Sequence, residues 1–350
     1  MKIGLLSRFP PERCGIAIYS NNLLKALKKK KVDVVTIGSL GSDADYCLDL
    51  GSISLESKLG QIIKKEKLDL LHIQYVAPFF GKFNLNMGLL LVLKLRIPKI
   101  VTLHEVQYPE KGLKHKVLEA IEKRIILGSD AIIVHTPAQR DHLVRKPGNK
   151  QIECIYMGLK RIAENPQPDL KNILFFGIIA PGKGIEHLIK AMRSLKGYRL
   201  NIAGSVGKDV SKVYTESLKN LSGGLNNVTL DIGWVSEDKK DKLFRKAGLV
   251  VLPYIWAPYQ SAVLHDAFSY GIPVVVTRVG AVWEIVKKYN AGIVVKPGSP
   301  EAIAEGIAGL IKNYTTYRAG VSKYVDEALW DNSAKKHLRL YQKVLKHKSE

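Results

Sequence analysis

Short apolar runs alternate along the chain with longer segments in which apolar residues recur every three or four positions. Runs such as "KIGLLS" and "LDLLHIQY" predict buried strands, and periodic segments such as "SLESKLGQIIKKEK" predict amphipathic helices. Parallel strands need a crossover between them, and here most predicted strands are followed by a predicted helix. The pattern therefore indicates an α/β protein whose parallel sheets are covered by helices on both faces.

The first half of the chain predicts one complete α/β domain. Its strands and helices are, in order, "KIGLLS", "SNNLLKALKKKK", "VDVVTIG", "SLESKLGQIIKKEK", "LDLLHIQY", "FNLNMGLLLVLKLR", "KIVTLH", "KGLKHKVLEAIEKRIIL", "DAIIVHT" and "IECIYMG". The next segment, "KRIAENPQPDLKN", is polar and contains two prolines, so it is the best linker candidate in the sequence. We therefore assign residues 1–163 to the first domain.

The alternation then resumes and predicts a second doubly wound domain over residues 164–330. Its segments are "NILFFG", "GIEHLIKAMRSL", "RLNIAG", "SKVYTESLKNL", "VTLDIG", "EDKKDKLFRKA", "LVVLPY", "SAVLHDAFSY", "IPVVVT", "VWEIVKK", "GIVVK" and "SPEAIAEGIAGLIKN". The last segment, "NSAKKHLRLYQKVLKHK", predicts one more amphipathic helix within residues 331–350. Two such domains leave a cleft at the carboxyl ends of their strands, where open α/β sheets bind ligands.

One short stretch, "SAVLHDAFSYGIPVVVT", indicates a candidate ligand site as well as a fold, because its predicted helix begins at a loop. The start of a helix offers free backbone N–H groups and a positive dipole end, which suit an anion. Asp266 follows a turn and a half later, where a carboxylate can accept hydrogen bonds from hydroxyl groups. A ligand with a phosphate at the helix start and a diol at Asp266 would be a nucleotide. The alternative that this stretch leaves open is an ordinary βα unit without a ligand.

Composition narrows the class of protein. With 54 Lys and Arg against 32 Asp and Glu, the net charge is +22, and each half of the chain contributes +11. A charge of this size suits nucleic acid, an anionic membrane surface or phosphate-rich ligands, or it only disperses the protein. Three widely spaced cysteines indicate reduced thiols rather than a disulfide framework or a zinc site. No signal peptide or membrane-spanning run is recognisable, so we expect a soluble, cytoplasmic protein.

Four collinear regions resemble the retaining glycosyltransferases of family 4, which have the GT-B fold. They are "FPPERCGIAIYSNNLLKAL", "HIQY" with "IVTLHEV", "FFGIIAPGKGIEHLIKAM", and "LPYIWAPYQSAVLHDAFSYGIPVVVTRVGAVWEIV". The resemblance implies an α/β GT-B architecture with two Rossmann-like domains facing across a cleft and a C-terminal helix crossing back to the first. It also implies transfer of a sugar from a nucleotide-sugar, either a UDP- or a GDP-sugar, with retained anomeric configuration. No cofactor and no required metal are expected, and the acceptor is a glycan, a lipid-linked glycan or a small molecule.

The resemblance assigns most of the donor site to two loops of the second domain. Lys183 in "PGKG" matches the lysine that faces the diphosphate, with Gly182 and Gly184 on either side of it. A nucleoside diphosphate gains negative charge as the glycosidic bond breaks, so a fixed cation at this position assists its departure. A second phosphate cradle and the ribose-binding carboxylate come from the stretch discussed above: Gln260, Ser261, Ala262 and Asp266.

Further site residues follow from the same resemblance. His104, at the end of the predicted strand "IVTLH", matches an active-site histidine near the donor sugar, and with Lys183 it is the predicted catalytic pair. Gly15 matches a glycine whose backbone approaches the donor or the acceptor, and glycine permits that approach because it has no Cβ. Glu284 matches an acidic position near the donor, and the region of Trp234 and Val235 is expected to contact the base.

The sequence departs from the family pattern at two positions. Pro258 stands where the family has its first motif glutamate, a feature shared by a branch with "QSGV" in this region. Ile178 stands where an arginine usually follows "FFG", so one cation rather than two is expected to face the diphosphate. Arg278 or Lys160 are the residues we consider as a substitute for that second cation.

These departures keep a catalytically weak or regulatory GT-B protein as the main alternative to an active transferase. A phosphorylase would need a cofactor lysine in a context that is absent, and an epimerase would lack the "PGKG" loop. A nucleic-acid-binding protein rests on charge alone, because no recognition motif accompanies it. Basic segments of the first domain, "KALKKKK", "KKEK" and "KGLKHK", lie beside the apolar "APFF" and "MGLLLVL". They predict peripheral association with an anionic membrane surface at the cytoplasmic face.

Overall fold

The computed structural model describes residues 1–12, 14–81, 85–108, 112–146, 151–162, 168–207, 210–256 and 261–349, with the backbone alone for 114, 348 and 349. The chain forms two compact units. Unit 1 comprises Met1–Gly158 and Trp330–Glu350, and unit 2 comprises Leu159–Leu329. The division between the units falls at residues 158 and 159, rather than at residues 163 and 164 as the linker composition suggested.

Unit 1 contains a seven-stranded parallel sheet with the strand order β3-β2-β1-β4-β5-β6-β7. Ile3 of the first strand pairs with Val34 on one side and with Leu70 on the other. The strand order therefore reverses between β1 and β4, which makes that point the topological switch of this sheet. The strands are β1 (Lys2–Leu6), β2 (Asp33–Ser39), β3 (Tyr46–Leu48), β4 (Leu70–Tyr75), β5 (Lys99–Leu103), β6 (Ala131–Val134) and β7 (Gln151–Cys154).

Helices cover both faces of this sheet. One hydrophobic cluster contains residues of α2, α3, α4 and α5, among them Leu59, Val92 and Ile125. The other contains residues of α1 and α13, among them Leu23 and Tyr341. The helices are α1 (Gly15–Lys29), α2 (Leu55–Glu66), α3 (Met87–Val92), α4 (Leu113–Gly128), α5 (Pro137–Val144) and α13 (Trp330–Ser349), with a 3-10 turn at Ala77–Phe79.

The last helix belongs to unit 1 although it follows unit 2 in the sequence. It packs against α1, and Lys30 forms an ion pair with Asp331 at its beginning. A Cβ on Gly158 would overlap the ring of Trp330, so only glycine allows this contact. None of the helices in the described part of the chain combines the length and apolar character that crossing a bilayer requires.

Unit 2 contains a six-stranded parallel sheet with the order β10-β9-β8-β11-β12-β13, which reverses between β8 and β11. All four residues of β11 and of β12 are buried, because helices cover both faces. The strands are β8 (Asn172–Phe176), β9 (Arg199–Gly204), β10 (Val228–Ile232), β11 (Leu249–Leu252), β12 (Val274–Thr277) and β13 (Gly292–Val295). The helices are α6 (Ile185–Ala191), α7 (Lys212–Ser222), α8 (Glu237–Lys246), α9 (Ala262–Ser269), α10 (Val282–Tyr289), α11 (Pro300–Lys312) and α12 (Tyr314–Ala328), with a 3-10 turn at Pro181–Lys183.

The structure adds three elements that hydrophobic periodicity did not predict. Strand β3 has only three residues at the edge of its sheet, none of them buried, so it carries no apolar run. Helix α5 is polar and is fixed instead by a capping box between Thr136 and Gln139. Helix α12 lies in the segment that we left unassigned before the last helix. Helix α3 is shorter than predicted, because a continuous apolar run does not show where a buried helix ends.

Candidate functional site

The candidate donor site of unit 2 lies at the switch point of its sheet, where ligands bind in open α/β folds. Strands β8 and β11 are neighbours there, and each leads at its carboxyl end into a loop. The loop after β8 forms the 3-10 turn Pro181–Lys183, and the next residue, Gly184, caps it before α6 begins. The "PGKG" sequence thus folds into a tight turn directly beside the end of β11.

The fold of this turn requires glycine at only one of its two glycine positions. Gly184 has φ = +64°, and a Cβ there would also overlap the carbonyl oxygen of Pro253. Gly182 has space for a Cβ, whose nearest neighbour would be the carbonyl oxygen of Trp256 at 3.8 Å. The carbonyl of Gly182 accepts hydrogen bonds from the backbone N–H groups of Ile255 and Trp256, at 3.0 and 3.2 Å. The loops after β8 and β11 are therefore tied together by backbone contacts.

Lys183 lies half-buried within this turn, with its Nζ 4.1 Å from the centre of the Tyr254 ring. Burial lowers the pKa of its ammonium group below the ordinary value. Partial withdrawal from water strengthens the field that the charge exerts on an anion placed next to it. The cation is thus supported from one side by an aromatic face.

Tyr254 is a site residue that the sequence analysis missed. Its ring lies under Lys183, and its hydroxyl is 3.1 Å from Oγ of Ser261 at the start of α9. The hydroxyl of Thr277, at the end of β12, donates to the carbonyl of Tyr254 at 2.6 Å. Tyr254 therefore links the lysine turn to the helix start. Its place in "LPYIW", two residues after a buried strand, was the signal available in the sequence.

The start of α9 has the features that the sequence predicted for an anion-binding helix terminus. Ser261 is buried and caps the helix, with its Oγ accepting from the N–H of Leu264 at 3.4 Å. Ala262 is the exposed first helical residue, so its N–H and that of Val263 are in the first turn, where helices lack internal acceptors. Gln260, the third predicted member of this cradle, lies outside the described residues, as does Pro258.

Asp266 is already engaged in the structure. Its Oδ2 is 2.9 Å from Nζ of Lys240 on α8, and 30% of the side chain is exposed. Burial raises the pKa of the Asp266 carboxyl, and the charge of Lys240 opposes that rise. The ion pair holds the carboxylate in place with one oxygen directed at Lys240, so its other oxygen remains available to a hydroxyl group.

The remaining predicted unit 2 positions lie in loops and at one helix start. Ile178 is 57% exposed in the loop after β8, so it is not a core residue. Glu284 lies in the first turn of α10, and Arg278 stacks on Trp283 just after β12, with its guanidinium carbon 4.9 Å from the ring centre. Trp234, 67% exposed, and its neighbour Val235 follow β10. Lys160 is exposed.

In unit 1, Gly15 is the exposed first residue of α1. A Cβ at this position would meet no atom within 4 Å, and its φ is not in the left-handed region. The fold of unit 1 therefore does not itself require glycine here. The Sγ of Cys14 caps the helix by accepting from the N–H of Ala17 at 3.4 Å.

His104 lies in unit 1 directly after β5, and only 6% of it is exposed. Its Nε2 is 2.8 Å from Oε1 of Gln74, and its Nδ1 is 3.2 Å from Nε2 of His135. The ring of Tyr19 packs edge-on against it at 4.9 Å. Burial, followed by the charges of His135 and His72, holds its pKa well below the usual value, so the ring is neutral. Because the ring is neutral and both of its nitrogens are hydrogen-bonded, it is held in place and is not free to act as a general acid or base.

The structure thus brings Lys183, Gly182, Gly184, Ser261 and Ala262 together around Tyr254 in unit 2. It places Gly15 and His104 in unit 1, connected through Tyr19 of α1. Among the described residues, no cluster of three or more histidines, cysteines and carboxylates is placed to hold a metal ion.

Two family models match the chain, one in each half. The model of glycosyl transferases group 1 matches residues 159–327, and the model of glycosyltransferase family 4 matches residues 13–160. Among curated proteins, an uncharacterized glycosyltransferase of Methanocaldococcus jannaschii is 27% identical, with 98% of both chains covered. Phosphatidyl-myo-inositol mannosyltransferase of Mycobacterium leprae is 26% identical, over 62% of this chain and 55% of its own.

Solved structures agree with this assignment at the level of the fold. Sucrose-phosphate synthase of Thermosynechococcus elongatus has a TM-score of 0.76 and 19% identity, and 99% of this chain and all of that one are covered. HepE of Anabaena, solved with UDP and glucose, has a TM-score of 0.71 and 15% identity, with 98% of this chain and 100% of that chain covered.

Fold and matches together define the class: this is a glycosyltransferase with the GT-B fold, built from two Rossmann-like units. More particularly, the chain belongs to the group 1 glycosyltransferases, with a family 4 first half. The α/β GT-B architecture and the family membership that the sequence motifs predicted are both confirmed.

Proposed function

We propose that the protein transfers a hexose from a nucleoside diphosphate sugar to a hydroxyl acceptor with retention of anomeric configuration. The observation that carries this proposal is the assembly of Lys183, Tyr254 and the start of α9 at the switch point of unit 2. It combines a half-buried cation with a helix N-terminus, and both act on the same kind of ligand, a phosphate. UDP bound to HepE, a protein of the same fold, supports a nucleotide ligand.

The chemistry asks these groups to stabilise the leaving diphosphate. As the bond between the anomeric carbon and the phosphate oxygen breaks, negative charge grows on the diphosphate. Lys183 and the N–H groups of Ala262 and Val263 meet that charge without rearranging, because the turn and the helix cap already hold them. Gly182 leaves room for the phosphate to approach the backbone of the turn. None of these steps calls for a metal ion or a cofactor.

The other positions receive roles around the same ligand. Asp266, held by Lys240, accepts hydrogen bonds from the ribose hydroxyls through its second oxygen. Trp234 and Val235 contact the base, and Glu284 contacts the donor sugar. UDP- and GDP-sugars both fit these roles.

The unit 1 residues complete the proposal on the side of the sugar. Gly15 gives the donor or acceptor access to the start of α1, since nothing in unit 1 itself occupies the space of a side chain there. His104 borders the donor sugar as a neutral ring. A neutral ring suits this place, because the sugar becomes positively charged when the diphosphate leaves, and a nearby cation would oppose that charge.

The second candidate function is a GT-B protein that binds nucleotide-sugar with little turnover, and Ile178 is the observation that favours it. The exposed isoleucine occupies the position at which the family pattern has an arginine. Lys183 therefore lacks the second cation that this pattern places at the diphosphate. Arg278, considered as its substitute, has its guanidinium group stacked on Trp283.

For the acceptor, we propose a glycan or lipid-linked acceptor reached from an anionic membrane surface at the cytoplasmic face. The outer face of α4 supports this docking, because Leu113 and Leu127, 79% and 47% exposed, flank exposed basic residues. These basic residues are Lys116, Lys123 and Arg124. In the apolar segments that the sequence suggested, Phe80, Leu89 and Val92 are core residues, whereas Met87 is 53% exposed. A mannosyltransferase acting on a phosphatidylinositol is among the relatives.

The two candidate functions are separated by incubating the protein with a panel of UDP-, GDP- and ADP-sugars without acceptor. A transferase hydrolyses its own donor slowly, and Lys183→Ala should slow that hydrolysis by about 10²–10³-fold while the protein remains folded. Binding of one nucleotide-sugar without any hydrolysis, and without transfer to a set of glycan and lipid acceptors, would instead establish the binding protein.

A further inference from the structure

A continuous chain of hydrogen bonds crosses the interior of unit 1 and includes His104. It begins at the carbonyl oxygen of Ile155, 2.9 Å from Nδ1 of His135, and continues from Nε2 of His135 to Nδ1 of His104 at 3.2 Å. Nε2 of His104 then meets the amide of Gln74 at 2.8 Å, and the far end of that amide meets Nε2 of His72 at 3.1 Å. All three histidines and Gln74 are buried.

The chain ends on the last helix of the protein. Nδ1 of His72 lies 2.8 Å from the hydroxyl of Tyr341 on α13, and Nε2 of His72 is also 2.8 Å from Oγ1 of Thr102. Tyr341 is fully buried. The residue proposed to border the sugar is therefore connected through side chains to the C-terminal helix.

Counting protons along the hydrogen bonds given above leads to two states, one for each orientation of the Gln74 amide. The carbonyl of Ile155 can only accept, so Nδ1 of His135 must carry a proton. If the oxygen of Gln74 faces His104, Nε2 of His104 must also carry a proton. The contact between His135 and His104 then requires a further proton, and one of the two rings becomes a cation.

Rotating the Gln74 amide by 180° exchanges its oxygen and nitrogen in nearly the same positions. The amide N–H then donates to Nε2 of His104, and Nδ1–H of His104 donates to His135. At the other end, Nε2–H of His72 donates to the amide oxygen, and its Nδ1 accepts from Tyr341. Each link from Ile155 to Tyr341 now holds one proton, and every ring is neutral. The hydroxyl oxygen of Thr102 is then a second acceptor for the Nε2–H of His72.

We infer that Gln74, together with His72 and Tyr341, is a positioning group that holds His104 as the neutral Nδ1–H tautomer. The inference rests on the proposed role of His104 beside the donor sugar. The amide donor occupies Nε2 of His104, so an added proton can enter the pair only by turning the amide and creating a buried cation. A buried cation without a carboxylate partner is strongly disfavoured, so the neutral tautomer is maintained.

In the part of the chain that the structure describes, the recorded neighbours of this pair are aromatic side chains. Tyr19 of α1 packs against both rings, and its hydroxyl is buried without a hydrogen-bond partner among the described residues. His72 lies on β4, while His337 and Tyr341 approach from α13. The pKa values of His72 and His104 are both well below the usual value because of burial and the neighbouring histidines. None of these facing groups is a carboxylate.

The proton positions can be measured directly in the full-length wild-type protein. Long-range ¹⁵N–¹H correlation spectra of protein with ¹⁵N-labelled histidine distinguish the two neutral tautomers and the imidazolium ion. Single histidine substitutions assign the signals. We expect His104 and His135 to be neutral Nδ1–H tautomers at pH 7.5. An Nε2–H signal or an imidazolium signal for His104 at that pH would overturn the inference.

Gln74→Glu tests the consequence for activity, because a carboxylate can only accept from His104. We expect it to raise the pKa of the His104–His135 pair by about one to three units, and to move the acidic limb of the rate profile upward equally. Gln139→Glu is the matched control. Gln139 is a buried amide whose oxygen accepts from the backbone N–H groups of His135 and Thr136, at 3.0 and 3.1 Å. Gln139→Glu therefore adds a carboxylate near the pair without a recorded contact to a ring nitrogen. The control should shift the limb much less.

The outcomes separate this inference from the proposed function. A shifted histidine pKa in Gln74→Glu with an unmoved acidic limb would overturn the positioning role. If no donor is turned over by the wild type, the proposed function fails, and the tautomer spectrum still decides the proton assignment. If Gln74→Glu does not fold, the wild-type spectrum remains sufficient.

Discussion

At the scale of single residues, Lys183 is the side chain on which the proposed chemistry depends most. We expect Lys183→Ala to lower the turnover number by about 10²–10³-fold, with a smaller change in donor KM. The reason is that the charge on the diphosphate grows between the bound state and the transition state. The measurement is steady-state transfer or donor hydrolysis. The control is Lys190→Ala, which removes an exposed lysine of α6, the helix that follows the turn of Lys183. It should leave both constants unchanged. Equal rates in wild type and Lys183→Ala would show that Lys183 does not act on the diphosphate.

Ile178 provides a second prediction at this scale. Because 57% of the isoleucine is exposed, Ile178→Arg should fold normally, with a melting temperature close to that of the wild type. The restored cation should raise the turnover number or leave it unchanged. Ile178→Gln is the neutral control of similar size and should not raise the rate. A fall in the rate of Ile178→Arg alone would show that a second cation at this position is harmful.

How much of the site the sequence could predict is clear from residues in these loops. Lys183 and Gly184 were predicted because "PGKG" resembles the diphosphate loop of the family, and Ser261 was predicted because it precedes a helix that begins at a loop. Tyr254 was missed, since its role depends on the close approach of two loops that are about 70 residues apart in the chain. The partner of Asp266, Lys240, was missed for the same reason. Spacing along a chain reveals local geometry, whereas contacts between loops require the sheet order.

At the scale of elements, the two glycines of the turn after β8 have different roles. The fold requires Gly184, whereas only the proposed ligand requires Gly182. Gly184→Ala should destabilise unit 2 by at least about 2 kcal/mol, because φ is +64° and the methyl group would overlap the carbonyl of Pro253. Gly182→Ala should retain wild-type stability and lose donor affinity, because the space for its methyl group is the space proposed for phosphate. Urea unfolding and nucleotide titration measure the two effects. Unchanged nucleotide affinity in Gly182→Ala would contradict the phosphate position.

The strands and most helices followed from hydrophobic pattern because each has a buried face in a covered sheet. Of the three elements that escaped, β3 and α5 depend on hydrogen bonding at an edge or at a cap. A pattern of apolar positions cannot report elements that bury little apolar surface. Helix α12 was missed although it buries apolar residues such as Val321 and Tyr324.

At the scale of the whole molecule, buried histidines in both units predict a common acid limit of stability. Burial lowers the pKa of His265 in unit 2 and of His337 in unit 1 to about 4, from 6.5. Below pH 6.5 the unfolded chain binds protons that the folded state refuses, so stability falls with pH until about pH 4. Each histidine contributes about 3 kcal/mol to that loss.

Thermal unfolding followed by circular dichroism between pH 4 and 8 measures this dependence. Asn can replace the donor that each ring supplies to a backbone carbonyl, of Ser261 and of Ser333 respectively. His265→Asn and His337→Asn should therefore each flatten the fall in melting temperature below pH 6.5. The exposed His347→Asn is the control. A slope that neither buried substitution changes would assign the acid limit to other groups.

The net charge of +22 bears on the whole molecule through the proposed membrane face on α4. Three exposed basic residues there contribute about 1 kcal/mol each at an anionic surface, and the two exposed leucines can enter the lipid interface. We expect co-sedimentation with anionic vesicles at low salt, weaker binding at high salt, and little binding to neutral vesicles. Replacing Lys116, Lys123 and Arg124 by Gln should weaken binding by roughly a hundredfold. Replacing Lys190, Lys196 and Lys312 by Gln, which removes three exposed charges from unit 2 outside the basic segments, is the control and should have less effect. Equal and negligible binding to both kinds of vesicle at low salt would mean that the positive charge only keeps the protein dispersed.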